Sequence, residues 1–159
     1  MTETKETNEP KKRLEDLLRD LEGNKKTVFG IPIGIWEKGT LREVMDSTSP
    51  LEKFAFKGVY IIYDSKNNVK YVGESYKYSI AQRLKLQTKG NLSNSTLIKH
   101  IAEKDLKIKS PIKELTDSQL QEAKKHMAQF FVVAMQFEDL ETYLIRHFEV
   151  EYNIAGRKK

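Results

Sequence analysis

Tyr60, Tyr71, Arg83, Glu141 and Asn153 are among the side chains whose types acid–base and phosphate chemistry use. Tyr60 and Tyr71 lie in the triplets Gly58-Val59-Tyr60 and Tyr71-Val72-Gly73, with ten residues between the two tyrosines. A free phenol has a pKa of about 10, so only about one in a thousand is ionised at neutral pH, and lowering it requires positive charge nearby. Arg83 and Lys70 are sources of such charge. In a simple hairpin register Tyr71 faces Tyr60, a geometry that equally describes a plain cross-strand packing pair. Arg83 presents a planar fork of donors that fits a phosphate and lies among Lys70, Lys77, Lys85 and Lys89. A solvent-facing helix arginine is the other reading. Glu141 falls in the first turn of an expected helix, beside a Leu140–Leu144–Phe148 stripe, so its carboxylate belongs at the edge of the core. A hard oxygen ligand of this kind suits Mg²⁺ or Mn²⁺. The other role open to it is stabilisation of the helix N-terminus, worth about 0.3–1 kcal/mol. Asn153 alone says little, and His100, His126 and His147 do not have the spacing of metal ligands.

Taken in order, these residues resemble the GIY-YIG nuclease superfamily, with Val in place of Ile in both triplets. Arg83-Leu84 stands on the helix after the hairpin, where the family carries an arginine usually followed by leucine. Glu141 and Asn153, 12 positions apart within DLETYLIRHFEVEYN, match the family's late glutamate and, with Tyr152, its aromatic-Asn ending. The resemblance spans residues 57–155, about two thirds of the 159-residue chain. It implies the GIY-YIG nuclease fold and a metal-dependent endonuclease that hydrolyses DNA to 5′-phosphate and 3′-hydroxyl ends, of the small restriction-like or phage and mobile-element kind. Tyr60 is then the base, Tyr71 shares the water or bonds the phosphate, and Arg83 grips the phosphate. Glu141 holds Mg²⁺ or Mn²⁺, and Asn153 bonds backbone or the hydrated metal. Gly73, Lys70, Lys77 and Lys85 are expected against the substrate, which is double-stranded DNA; the histidines are assigned no chemistry, and His100, on the expected 94–104 helix, is the least remote from it.

Three features depart from the family pattern. Gln87 stands four residues after the arginine, where His or Tyr is common, and Val150 replaces a frequent proline. The stretch from Gly73 to Arg83 is slightly long and carries Tyr76 and Tyr78. Either tyrosine can stack on a base or a sugar, or pack at a helix edge. Gln87 and Val150 motivate the alternative of a catalytically inactive nucleic-acid-binding module that keeps the fold.

The elements that must position these residues follow from periodicity. Residues 1–12 are polar and charged and read as disordered. Leu14, Leu17, Leu18 and Leu21 recur at helical spacing within 11–22, stopped by Gly23-Asn24, and that stripe either caps the core or pairs with another copy. Residues 27–36 are β-rich but broken by Gly30, Pro32 and Gly34, which predicts an edge strand or extended arm. Thr40 is an N-cap for a short helix over 40–46. Strands are predicted at 58–64, 69–73 and 129–137, and helices at 78–88, 94–104, 117–125 and 138–148, with a break at Ser110-Pro111. The fold class is therefore α+β: a small antiparallel sheet of about three strands flanked by helices. A helical and extended N-terminal arm, 1–56, precedes the nuclease-like domain, 57–159.

Charge is uneven along the chain. Residues 1–56 hold 10 Lys+Arg and 11 Asp+Glu, residues 57–125 hold 14 and 7, and residues 126–159 hold 4 and 5. The formal net charge of +5 thus comes from the middle of the chain, which suits a polyanionic partner or, as plainly, a solvated lysine-rich face. No run of about 18 apolar residues is present, which excludes a transmembrane helix, and no membrane partner is expected. No export signal opens the chain, so the cytoplasm is the expected compartment. The absence of cysteine excludes disulfides, thiolate metal sites and a cysteine nucleophile. Double-strand cutting with one site per chain would favour a homo-oligomer.

Overall fold

In a computed structural model of the chain, the described residues are 9–28, 31–89, 96–108 and 116–137. The first helix, α1 (Glu9–Glu22), begins with Pro10 in its first turn, where the missing N–H costs nothing. It ends in a Schellman turn: Asn24 takes the left-handed conformation at φ 61°, Asn24 N–H donates to Leu21 O, and Lys25 N–H donates to Asp20 O. After β1 (Thr27–Val28) comes β2 (Ile31–Thr40), then α2 (Leu41–Asp46) and a 3₁₀ turn at Glu52–Phe54. The hairpin is β3 (Gly58–Tyr63) and β4 (Val69–Ser75). Then come α3 (Ile80–Thr88), α4 (Thr96–His100) continued by a π-turn at Ile101–Asp105, α5 (Asp117–Met127) and β5 (Phe131–Phe137). The expected helix over 138–148 lies outside the described residues.

The fold is α+β, as expected, but the antiparallel sheet has four long strands rather than three, in the order β2–β5–β3–β4, with the two-residue β1 at the β2 edge. The added strand is β2. Its glycines and proline suggested an edge strand or an arm, and it is the edge of the long strands, paired with β5 from Ile33 to Thr40. A bulge between Ile33 and Trp36 sets Gly34 and Ile35 against the single residue Gln136, and Pro32 pairs with the two-residue β1 rather than β5.

Every residue of β3 is buried, because the sheet is covered on both faces. Val59, Ile61 and Tyr63, with Val133 and Met135 of β5, pack under Leu14, Leu17 and Leu21 of α1. Tyr60, Ile62, Val132 and Ala134 point the other way, into a core roofed by α2, α3, α4 and α5. The leucine stripe thus closes one face of the sheet, so residues 9–56 share both core layers with residues 57–137. Three helices start with reciprocal capping boxes, Thr40–Glu43, Ser79–Gln82 and Thr116–Gln119, each Ser/Thr-x-x-Glu/Gln in sequence.

Leu17 is fully buried. Leu17→Ala is expected to cost about 2–5 kcal/mol and to lower the urea midpoint of one cooperative transition followed by both far-UV circular dichroism and tryptophan fluorescence. An unchanged midpoint, or two separate transitions, would show that α1 does not fold with the sheet.

Candidate active site

The hairpin register is not the simple one. Tyr60 pairs with Gly73, Ile62 pairs with Tyr71, and a bulge at the Ile62/Tyr63 step lets Tyr63 pair with Val69. Tyr71 is therefore diagonal to Tyr60 rather than opposite it. The turn accounts for the offset: Asn67 is left-handed at φ 65°, and the Asp64 carboxylate accepts from the N–H groups of Lys66 and Asn68, which fixes a tight tip and leaves Lys70 as the extra residue. The two rings still meet on one face, stacked with centroids 6.1 Å apart at 22°.

Glycine at position 73 makes that stacking possible. A Cβ there would lie 2.6 Å from both Cζ and Oη of Tyr60 and 2.9 Å from Cε1 of Tyr71. Gly58 is required for a different reason, since a Cβ there would stand 2.1 Å from the Met135 carbonyl oxygen of β5. Both glycines of the hairpin triplets are thus explained by close approach, one of a ring and one of a strand.

Helix α3 completes the site. Its buried face carries Ile80, Ala81, Leu84, Gln87 and Thr88. Gln87 is fully buried, and its Nε2 donates to the hydroxyls of both Tyr60 at 3.4 Å and Tyr71 at 3.3 Å. Its Oε1 accepts the Leu97 N–H of α4 at 3.4 Å. Sequence reasoning treated Gln87 as a departure from a family pattern; the structure makes it the residue that joins the two phenols. The available signal was a polar residue seven positions after Ile80, on an otherwise apolar stripe. An amide has no charge state to offer at neutral pH, so Gln87 orients the phenols and does not relay their protons.

Arg83, one turn into α3, is half-buried, and its charge acts on Tyr60. Burial nevertheless dominates at Tyr60, which is about 1 % exposed. Loss of water and the neighbouring Tyr71 push the phenol far above its ordinary range, against the opposing pull of Gln87 and Arg83. In this state Tyr60 is a buried, protonated phenol, the reverse of what its expected role as base needs. Tyr71 is only half-buried and reaches the surface side of the pair.

The expected basic contacts divide. Lys70 is largely buried in an ion pair with Asp105 at 3.6 Å, and Asp105 also holds Nε2 of His126 at 2.8 Å. Lys85 donates to the carbonyls of Val44, at 2.9 Å, and Ser47, at the C-terminal end of α2. Lys77 is exposed, with its ammonium 5.8 Å from the centre of the Tyr78 ring. His100 is half-buried, and burial holds its imidazole below its ordinary pKa. Of the five chemical residues, the structure brings Tyr60, Tyr71 and Arg83 together, while Glu141 and Asn153 lie outside the described residues. Among the described residues no group of three or more His, Asp or Glu side chains is arranged to hold a metal ion. The neutral donors around Tyr60 and Tyr71 do not make a cation site by themselves. Among those residues, too, no helix is long and apolar enough to cross a membrane.

Compared with family models, with characterised proteins and with solved structures, the chain finds no match.

Burial also raises Tyr63, to about 12, with Glu22 adding to the shift. Unfolded phenols lose their protons near pH 10. The folded protein holds those of Tyr60 and Tyr63 longer, so their stabilising contribution is complete below pH 10 and is lost as pH rises through 12 and beyond. Urea midpoints are expected to fall between pH 10 and 12, and Tyr60→Phe or Tyr63→Phe should each flatten that fall. Parallel curves for wild type and both variants would contradict the assignment.

Proposed function

We propose that the protein is a GIY-YIG-type nuclease that hydrolyses phosphodiester bonds in double-stranded DNA with Mg²⁺ or Mn²⁺, leaving 5′-phosphate and 3′-hydroxyl ends. The observation that carries this reading is the convergence of Tyr60, Tyr71 and Arg83 from three elements of the fold, with two phenol oxygens tied to one buried amide. Each amide proton of Gln87 occupies one phenol oxygen. Tyr71 can then turn its own O–H proton toward a phosphate at the half-exposed edge, and Arg83, whose charge reaches Tyr60, is the second donor to that phosphate. Together they neutralise and orient a phosphoryl group. Tyr60, buried behind Tyr71, acts as a positioning residue through ring stacking; as the base it would have to ionise against its burial. Glu141 would hold the divalent ion, which when bound would relieve charge on the phosphoryl oxygens. Asn153 would bond backbone or the hydrated metal, as the resemblance implies.

The burial of Tyr60 and the amide at position 87 also favour a second reading, a nucleic-acid-binding module without cleavage. Nicking of supercoiled plasmid separates the two. An active enzyme cuts in Mg²⁺ or Mn²⁺, stops in EDTA, loses about a hundredfold or more in rate with Arg83→Ala, and with Glu141→Ala stops cutting while still binding. A protein that binds but never nicks in either metal is the module. A Glu141→Ala protein that cuts at the parental rate removes the metal assignment.

A further inference from the structure

Only three large apolar side chains are exposed among the described residues, and two of them, Tyr76 at 40 % and Tyr78 at 45 %, flank Lys77 in the segment between β4 and α3. Single exposed aromatics are common on proteins. These two differ in their setting, because the segment that displays them is held at both ends. Ser75, buried at the end of β4, donates from Oγ to the Tyr78 carbonyl at 2.6 Å. Ser79 is the N-cap of α3, in a capping box with Gln82, and the Ile80 N–H donates to Phe56 O at 2.8 Å. The backbone under the two rings is fixed, so their exposure is built in and needs little further ordering when a ligand arrives.

The location is equally specific. The segment joins the strand that carries Tyr71 to the helix that carries Arg83. Tyr76 follows Tyr71 by five residues, and Tyr78 precedes Arg83 by five. Five residues span at most about 17 Å, roughly five steps of the 3.4 Å spacing along one DNA strand. That bound keeps the two tyrosines within a few nucleotide steps of a phosphate at Tyr71 and Arg83. Lys77, with its ammonium near the Tyr78 ring, offers a cation to the adjacent backbone phosphate. Two aromatic faces with a lysine between them suit a base whose own face is uncovered. In an intact duplex the base faces are stacked on one another and closed to such a platform.

We propose that Tyr76 and Tyr78 form a stacking platform for an unpaired base, and that the protein therefore prefers DNA carrying an unstacked nucleotide to a fully paired duplex. The proposal rests on the nuclease reading for its ligand class and narrows it. The test is fluorescence anisotropy with a labelled duplex carrying one bulged thymine and the same duplex fully paired, each titrated at several salt concentrations. Wild type is expected to bind the bulged duplex about tenfold more tightly. Tyr76→Ala with Tyr78→Ala should abolish most of that preference without changing the salt slope. Tyr76→Phe with Tyr78→Phe should keep the preference, since stacking needs the ring and not the hydroxyl. Lys77→Ala should lower the slope by about one phosphate contact and leave the preference intact. Equal binding of both duplexes by wild type, or an undiminished preference in the double alanine protein, overturns the platform while leaving the nuclease reading standing. A wild type that binds neither duplex overturns the nucleic-acid reading, and the platform with it.

Discussion

The ring of Tyr60 crosses β4 at Gly73, the one place where that strand has no side chain to block it. Tyr60 can then point into the helical layer and still lie flat beside Tyr71. Once the two phenol oxygens sit side by side, one buried amide can bridge them, and Gln87 does so from the inward face of α3. The same helix turn sets Arg83 at the margin of the pair. A side chain of any size at position 73 would push Tyr60 off the strand, and with it the partner of Gln87 and the neighbour of Arg83. The chemistry of the site depends on this absence of volume more than on any single polar group.

That contact forms because β3 is enclosed on both sides. Antiparallel sheets commonly leave one face wet; here α1 seals one face and four helices seal the other. Full enclosure fixes Tyr60, and it also removes the water that would support an ionised phenol. Rigidity and acidity are therefore set against each other at this residue. The outer members of the group, Tyr71 and Arg83, keep partial contact with solvent, and under the proposed function a charged ligand would meet the protein there.

Legibility in the sequence varied with the range of the interactions involved. Capping at Thr40 was readable because Glu43, three residues on, completes it locally. The leucine stripe of α1 was readable because helical periodicity survives without tertiary contacts. The hairpin was readable, yet its register was not, since the bulge depends on how the Asp64–Asn68 tip closes. Strand β2 was legible as an edge, since Pro32 and Gly34 mark one, but its pairing was not, because it depends on β5, distant in sequence, and on one bulge. The lysines were the least legible. Lys70, Lys77 and Lys85 look alike in sequence, but Asp105 holds the first, helix-end carbonyls hold the third, and the second is left to the surface. Gln87 was passed over because its importance lies in what packs around it, which no local pattern encodes.

The pairing of β2 with β5 bears on how this chain can be dissected and recombined. Between residues 56 and 57 there is a natural place to cut on paper, just ahead of the hairpin triplets. A fragment starting there would lack the strand that covers β5 and the helix that covers the opposite sheet face. It would present an open row of amide and carbonyl groups beside a bare patch of valine, isoleucine and methionine, a template for self-association. Grafting or domain shuffling that carries the tyrosine hairpin to a new protein must therefore bring β2 and α1 with it. The portable unit is set by the sheet's edges and not by its chemical residues.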